Sequence, residues 1–198
     1  SEANPLKQLS PRISASYALT DQWNISASYG IYYRLPSYSQ LAYQNLLSGS
    51  ATSNPGDYIR STHYVAGVEY LPSNATRFTV EGFYKKYSNY PVSVLDGISL
   101  ANKGTDFGAI GNEPIIQNGK GQAYGVEFFA QQKLTKRFFG ILSYTYYRTE
   151  FTDINEEYIR ASWDNRHLVS LTLGYKFKHN WELGLKFRAQ GAAPYSPF

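Results

Sequence analysis

The chain has 198 residues, of which 42% are hydrophobic, 17% aromatic and only 17% charged, and its formal net charge is +4. The absence of cysteine from the sequence excludes a disulfide framework, a thiol nucleophile and a cysteine-ligated metal. The basic residues are scattered singly or in pairs rather than gathered in a stripe, which argues against a nucleic-acid partner.

The first two strands are predicted from side chains that alternate between apolar and polar. Ile13, Ala15 and Tyr17 alternate with polar residues, and the same pattern runs through residues 23–33. A period of two is typical of a β-strand, because successive side chains leave it on opposite faces. The two strands are joined by a short turn, and residues 34–60, which contain prolines and glycines, are predicted to form a long loop.

The next hairpin repeats this plan. Residues 64–70 and 77–85 are predicted as strands three and four, and the turn between them lies at residues 72–75. A second long loop, rich in glycine and asparagine, is expected at residues 91–122.

The most regular alternation spans residues 123–148 and predicts a hairpin with two strands of about ten residues each, the length that a tilted strand needs to cross a bilayer. A third loop follows at residues 152–165. The last hairpin pairs residues 168–175 with residues 181–190. We expect Leu171, Leu173, Leu183 and Leu185 to share one apolar face and Glu182, Lys186 and Arg188 to share the other.

Short and long connections alternate strictly along the chain. This favours an all-β fold, an antiparallel up-and-down transmembrane β-barrel segment of about eight strands with short periplasmic turns and long extracellular loops. The mean hydropathy of −0.42 agrees, since a barrel wall alternates apolar and polar residues, and no apolar run is long enough for a transmembrane helix. A soluble β-sandwich is the alternative, but it leaves the unequal loops and the charged residues in the middle of strands unexplained.

The predicted topology suggests a fragment. With periplasmic short turns, both ends of the chain lie on the extracellular side, whereas complete barrels ordinarily begin and end in the periplasm. We therefore expect residues 1–198 to be one segment of a single barrel domain, without a plug or a signal peptide and with strands missing at both ends.

Four stretches resemble the TonB-dependent outer-membrane receptors, and they occur in the order of that family. Each motif is weak alone, and together they cover most of residues 77–198. The stretches are Val80-Glu81-Gly82-Phe83-Tyr84-Lys85-Lys86-Tyr87; Asn118-Gly119 followed by Ala123-Tyr124-Gly125-Val126-Glu127; Trp163-Asp164-Asn165-Arg166-His167; and Gly191-Ala192-Ala193-Pro194-Tyr195-Ser196-Pro197.

The resemblance implies a plugged barrel of about 22 strands in the bacterial outer membrane. Such receptors bind a siderophore, glycan, vitamin or peptide outside the cell and import it with energy from TonB. The implied partners are the plug domain, the remaining barrel strands, the TonB complex, outer-membrane lipids and the nutrient ligand. A structural or adhesive β-protein that binds through its loops without transport is the alternative.

The sequence shows no pattern typical of an enzyme, so we expect no catalytic residues, metal site or cofactor. His63, His167 and His179 have no partner at metal-ligand spacing. Glu81 and Glu127 have the residue types of a glycosidase acid pair, but pairing with lumenal Lys85, Lys186 or Arg188 is the simpler interpretation.

Aromatic and arginine side chains in the predicted loops are the candidate ligand contacts. Aromatic rings stack on sugars or apolar ligands, and guanidinium groups hold carboxylates. The candidates are Arg34, Tyr38, Tyr58, Arg60, Tyr90, Phe107, Arg148, Tyr158 and Trp163.

Overall fold

A computed structural model describes residues 9–45, 52–103 and 110–194. The fold is all-β. The strands are β1 (Arg12–Ala18), β2 (Trp23–Arg34), β3 (Gln44–Asn45), β4 (Thr52–Ser53), β5 (Ile59–Ser73), β6 (Thr76–Ser93), β7 (Ile115–Thr135), β8 (Phe138–Thr152), β9 (Tyr158–Arg160), β10 (His167–Lys176) and β11 (Glu182–Gln190), with helix α1 (Tyr38–Ala42) and a 3-10 helix at Leu100–Asn102. None of the helices in the described part of the chain has the length and apolar composition needed to cross a membrane.

One antiparallel sheet contains the long strands in the order β1-β2-β5-β6-β7-β8-β10-β11, and β9 adds to β8. Each long strand pairs with its neighbour in the chain, so the topology is up-and-down, as predicted. The short connections lie at one end of the sheet, the turn end, and the long connections at the other, the loop end. In the last turn His179 and Asn180 have φ angles of 64° and 62°, and this left-handed backbone reverses the chain between Phe177 and Trp181, where the Phe177 N–H donates to the Trp181 carbonyl.

One face of the sheet, the apolar face, is continuous across all eight long strands. Along one row of paired residues, Tyr17, Ile25, Val68, Val80, Phe128, Tyr144 and Val169 lie side by side. In the last hairpin Leu173 pairs with Leu185, and Leu171 pairs with Phe187 on the same face. Ser170 pairs with Arg188 and Thr172 with Lys186 on the opposite face, so the predicted separation of leucines and charges is confirmed.

Aromatic rows bound the apolar face at both ends. At the loop end, Tyr29, Tyr64, Tyr84 and Tyr124 form the tyrosine row, with neighbouring ring centroids 5.2–6.5 Å apart. At the turn end, Trp23 stacks on Tyr70 at 4.4 Å, and Tyr70 on Phe78 at 6.4 Å. Trp23 and Tyr29 are six positions apart on β2, so the two rows are about 20 Å apart along the strand.

The other face, the polar face, carries serines, threonines and charges. Glu81 on β6 lies directly opposite Glu127 on β7. No ion pair joins either carboxylate to another described residue, so the predicted pairing with Lys85, Lys186 or Arg188 is wrong for the described chain. Their strand positions hold the two glutamates side by side on the same face.

The distribution of exposed residues is the reverse of that in a soluble domain. Large hydrophobic side chains in mid-strand are exposed, including Tyr64 at 49%, Val80 at 47% and Val126 at 49%. In the described part of the chain, the buried hydrophobic side chains are Val92, Leu100, Ala101, Ile115, Ala123, Phe151 and Ala161. All of them lie at or beyond the tyrosine row, so the packed core is at the loop end.

The strands are longer than predicted at the loop end. β6 runs to Ser93 and β7 begins at Ile115, so the connection expected at residues 91–122 shortens to residues 94–114. Residues 115–122, which contain Gly119 and Gly121 and were expected to be part of the loop, belong to β7. A Cβ at Gly119 would lie 2.5 Å from the Tyr90 carbonyl oxygen, so glycine permits close strand contact there.

Candidate functional site

An aromatic cluster lies on the polar face at the loop end. At its centre is Phe151 on β8, which is 2% exposed. The ring centroid of Phe151 is 4.5 Å from that of Tyr90, 5.4 Å from that of Tyr87 and 6.0 Å from that of Trp163. A Cβ at Gly121, on the neighbouring strand, would lie 2.4 Å from two ring carbons of Phe151, so glycine leaves the space that the ring fills.

The cluster continues across the sheet towards β2. The rings of Tyr32 and His63 are 4.5 Å apart, and Ser61 Oγ is 2.7 Å from His63 Nε2. The guanidinium of Arg12 lies over the Tyr32 ring at 4.4 Å. The aromatic mouth comprises Tyr32, His63, Tyr87, Tyr90, Phe151 and Trp163. These rings offer a partly exposed surface for stacking, with cations at its margin.

A buried ionic network fixes the loop of residues 153–166 to β8. Asp164 is fully buried, and its Oδ2 lies 2.7 Å from Arg160 Nε and 3.5 Å from Arg148 Nε. Arg148 also contacts Glu150 at 2.9 Å. Because both arginines bind carboxylates of this chain, their role here is to hold the loop that carries Trp163.

A second ionic cluster, the loop clamp, joins the two ends of the connection between β6 and β7. Lys103 Nζ lies 2.7 Å from both carboxylate oxygens of Glu113 and also pairs with Asp96. The Lys103 side chain is 8% exposed and that of Glu113 13%. Burial alone lowers the pKa of the Lys103 ammonium, but hydrogen bonds to the two carboxylates and their charges outweigh burial and raise this pKa.

Asn54 ties the first long connection to the second. Its Nδ2 donates to the carbonyls of Gln40 at 3.0 Å and Glu113 at 2.8 Å, and its Oδ1 accepts from the Ile115 N–H at 3.0 Å. The loop end is therefore a cross-linked assembly in which two connections are held together by side-chain to backbone hydrogen bonds.

The structure brings together three of the nine predicted ligand contacts. Tyr90 and Trp163 both touch the central Phe151. Arg34, the last residue of β2, lies on the polar face near enough to the Tyr90 hydroxyl to interact with it electrostatically.

The other candidates lie elsewhere. Tyr38 on α1 is 90% exposed, and Tyr58 contributes its carbonyl to a bond from Asn89 Nδ2. Arg60, expected in a loop, is in β5 and on the apolar face, because it pairs with Tyr33 and Ser88. Tyr158 begins β9 and is 48% exposed. Arg148 contacts Glu150 and Asp164. Phe107 lies outside the residues that the structure describes.

Sequence reasoning missed the centre of the mouth. Tyr32 lies in a predicted strand, whereas Tyr87 and Phe151 lie two and three positions beyond the ends of predicted strands, in residues that the structure adds to β6 and β8. None of the three was predicted to contact a ligand. A better signal was available in the small residue Gly121, since glycine inside a strand often marks a place where a neighbour approaches closely.

Two of the three histidines have ordinary hydrogen-bond partners. His63 contacts Ser61, and His167 Nδ1 lies 2.9 Å from the Tyr144 hydroxyl. In the described segments no group of three or more His, Cys, Asp or Glu residues has the arrangement of a metal site.

Comparison with known proteins identifies related sequences and folds. A family model described as "TonB dependent receptor-like, beta-barrel" matches residues 2–197. No curated protein matches the chain.

Several solved structures share the fold at low identity. The ferripyoverdine receptor of the outer membrane of Pseudomonas aeruginosa, bound to ferripyoverdine, is 19% identical with a TM-score of 0.64, covering 92% of this chain and 22% of the receptor. The ferric-catecholate import receptor Fiu of E. coli K12 is 16% identical with a TM-score of 0.66, covering 89% and 24%. The alcaligin outer membrane receptor FauA of Bordetella pertussis is 16% identical with a TM-score of 0.62, covering 92% and 29%. The chain thus spans about a quarter of the length of each.

Proposed function

Because the chain belongs to the TonB dependent receptor-like β-barrel family, we propose that it forms part of the wall of a bacterial outer-membrane receptor that takes up a nutrient with TonB-derived energy. The observation that carries this proposal is the two-faced sheet. The apolar face, bounded by two aromatic rows about 20 Å apart, has the form of a lipid-facing band, and the polar face has the form of a lumen wall.

The turn end then lies at the periplasm and the loop end outside the cell, since long loops are extracellular in such barrels. The aromatic mouth then faces the lumen between the tyrosine row and the outer end of the wall. We propose that Tyr90 and Trp163, with Arg34 beside them, contact the ligand. Stacking rings and a guanidinium suit a ligand that combines flat π-systems with negative charge.

A ferric siderophore is the ligand class that this chemistry fits best. Iron-chelating groups are commonly anionic and often aromatic, so stacking and a nearby arginine both contribute to binding. Two of the solved structures that share the fold, a ferripyoverdine receptor and a ferric-catecholate import receptor, support the same ligand class.

The polar face also suits a plug. Glu81 and Glu127 face each other, and like charges directly opposite across two strands destabilise the sheet unless a cation compensates them. We propose that basic side chains of a plug domain in the lumen supply this compensation, and that further strands extend the sheet beyond β1 and β11.

Ligand binding and uptake by the complete receptor test the proposal. Trp163→Ala and Tyr90→Ala should each weaken ferric-siderophore binding by about 2 kcal/mol, roughly thirtyfold, as expected for central aromatic contacts. Tyr38→Ala is the control, because Tyr38 is 90% exposed and makes none of the ring contacts that form the mouth. Uptake should cease in cells without TonB while binding persists. Uptake that is independent of TonB, or binding unchanged in both mouth variants, contradicts the proposal.

A further inference from the structure

Two cations stand on the apolar face just beyond the tyrosine row. Lys86 follows Tyr84 by two positions on β6, and Arg60 precedes Tyr64 by four positions on β5, so both share the face of the tyrosines. No bulge interrupts the pairing of β5 with β6 between these residues, and the side-chain alternation therefore fixes their direction. Both residues are exposed.

The two side chains are close enough to act on one group. Lys86 pairs with Thr62 and Arg60 with Ser88, which makes Arg60 and Lys86 diagonal neighbours with Cα atoms about 7–8 Å apart. Long, flexible stems allow both charged ends to reach a common point.

Neither cation forms an ion pair with an acidic residue of the described segments. The nearest acidic residue in the row of Lys86 is Glu150, two strands away and so about 10 Å distant. Its oxygens are already bound by Arg148 and by Gln122 Nε2. Other cations in this region are engaged, since Lys120 pairs with Glu156 and Arg160 with Asp164.

We propose that Arg60 and Lys86 bind the phosphate of an anionic lipid headgroup in the leaflet that surrounds the loop end. Headgroups lie at the level of an interfacial aromatic row and just beyond it, which is where these cations stand. A guanidinium and an ammonium together bind a phosphate well, the first as a planar fork and the second as a point charge. Arg60, which the sequence predicted to contact the nutrient ligand, is thus proposed to contact lipid instead.

This inference rests on the proposed function, because it requires the apolar face to contact lipid. The experiment uses the complete barrel that contains this chain, reconstituted in bilayer discs of phosphatidylcholine alone or mixed with phosphatidylglycerol. Bound lipid is counted by native mass spectrometry after release from the discs. The variants are Arg60→Gln with Lys86→Gln, and, as the matched control, Lys85→Gln, which removes a cation one residue away on the polar face.

The parent barrel should retain phosphatidylglycerol in preference to phosphatidylcholine. In the double variant, the removal of each cation should lower that preference about fivefold. The Lys85→Gln variant should keep it. Equal loss in Lys85→Gln, or no loss in the double variant, overturns the proposal. Saturation of the site by inorganic phosphate without any lipid preference also overturns it, since that result identifies a free-anion site.

A separate measurement distinguishes failure of this inference from failure of the proposed function. Insertion into discs of phosphatidylcholine alone requires the apolar face but not the two cations. If the parent and the double variant insert equally, a missing phosphatidylglycerol preference counts against the headgroup site only. If the parent does not insert at all, the membrane-barrel proposal itself fails.

Discussion

At the scale of single residues, the loop clamp depends on a lysine that is nearly inaccessible to water. Replacing Lys103 with methionine keeps the stem but leaves Glu113 without its cation, and breaking one side of a buried ion pair costs about 3 kcal/mol. We expect faster hydrogen exchange of the backbone amides in residues 94–103 and 110–114. Lys120→Met is the control, because the Lys120–Glu156 pair is exposed and should change exchange by little.

The same lysine sets the pH dependence of the clamp. Its pKa is higher in the folded protein than in an unfolded chain, so its contribution is fully present below the unfolded value of about 10.5. Stability from Lys103 is lost as the pH rises through the raised folded pKa. Exchange in the clamp should therefore be unaffected by deprotonation of Lys103 between pH 6 and 9 once intrinsic rates are corrected, and should accelerate above about 10.5. Acceleration already near pH 8 contradicts this account.

A glycine shapes the aromatic mouth. In Gly121→Ala the new methyl group overlaps the Phe151 ring, and displacing a packed ring costs about 1–3 kcal/mol. Gly82→Ala is the matched control, since Gly82 is in a strand that is paired on both sides here and a Cβ there would meet only the Ala66 carbonyl oxygen, at 4.0 Å. Denaturant unfolding of the complete barrel should show a loss in the first variant and none in the second. Equal stability of the two variants contradicts the proposed packing.

Residue types predicted which side chains can bind a ligand but not which of them come into contact with one another. Tyr90 and Trp163 are separated by more than 70 positions and come together only because both pack on Phe151. Arg148 was predicted to contact a ligand because the sequence does not show that Asp164 folds back between Arg148 and Arg160. Contacts across a loop depend on its path, and no local pattern encodes that path.

At the scale of the strand, side-chain direction decides the effect of a charge. Ile25 on the apolar face lies two positions from Trp23 and four from Tyr29, well inside the aromatic rows. Ile25→Arg should destabilise the membrane-inserted barrel by about 2–4 kcal/mol, because a guanidinium near the bilayer midplane is poorly solvated.

Ser26→Arg provides the control for Ile25→Arg. Ser26 is adjacent, exposed and on the polar face, in the row that leads through Gly67 to Glu81. Its replacement should have little effect or a favourable one. Refolding of the complete barrel into lipid vesicles over a denaturant series measures both variants. Similar losses of stability in the two variants would contradict the assignment of one face to lipid and the other to water.

Strand alternation predicted the eight long strands, their order and their faces, because period-two patterning is a local property of the sequence. It did not predict where the strands end at the outside. Beyond the tyrosine row both faces carry polar and small residues, as in Gln117, Lys120 and Gln122, so the alternation that marks a half-apolar strand disappears. The backbone pairing of β6 with β7 continues beyond the tyrosine row although the side-chain alternation does not.

At the scale of the whole molecule, the sheet has two edges. In the described chain β1 pairs only with β2, and β11 only with β10. Unpaired backbone groups cost several kcal/mol each in hydrocarbon and attract other strands in water. We therefore expect the isolated 198-residue chain in detergent to associate, with a broad mass distribution in native mass spectrometry. A homogeneous, heat-resistant monomer would contradict this expectation.

The length of β7 has a consequence for how a ligand arrives. The strand starts nine positions before Tyr124, so its outer part extends about 30 Å along the strand beyond the tyrosine row. In a membrane this part of the wall extends outward beyond the lipid-facing band. The aromatic mouth lies below the top of this wall, because Gly121, which pairs with Phe151, is six positions or about 20 Å along the strand from Ile115. A ligand that enters from the loop end therefore passes the outer part of the wall before it reaches the rings.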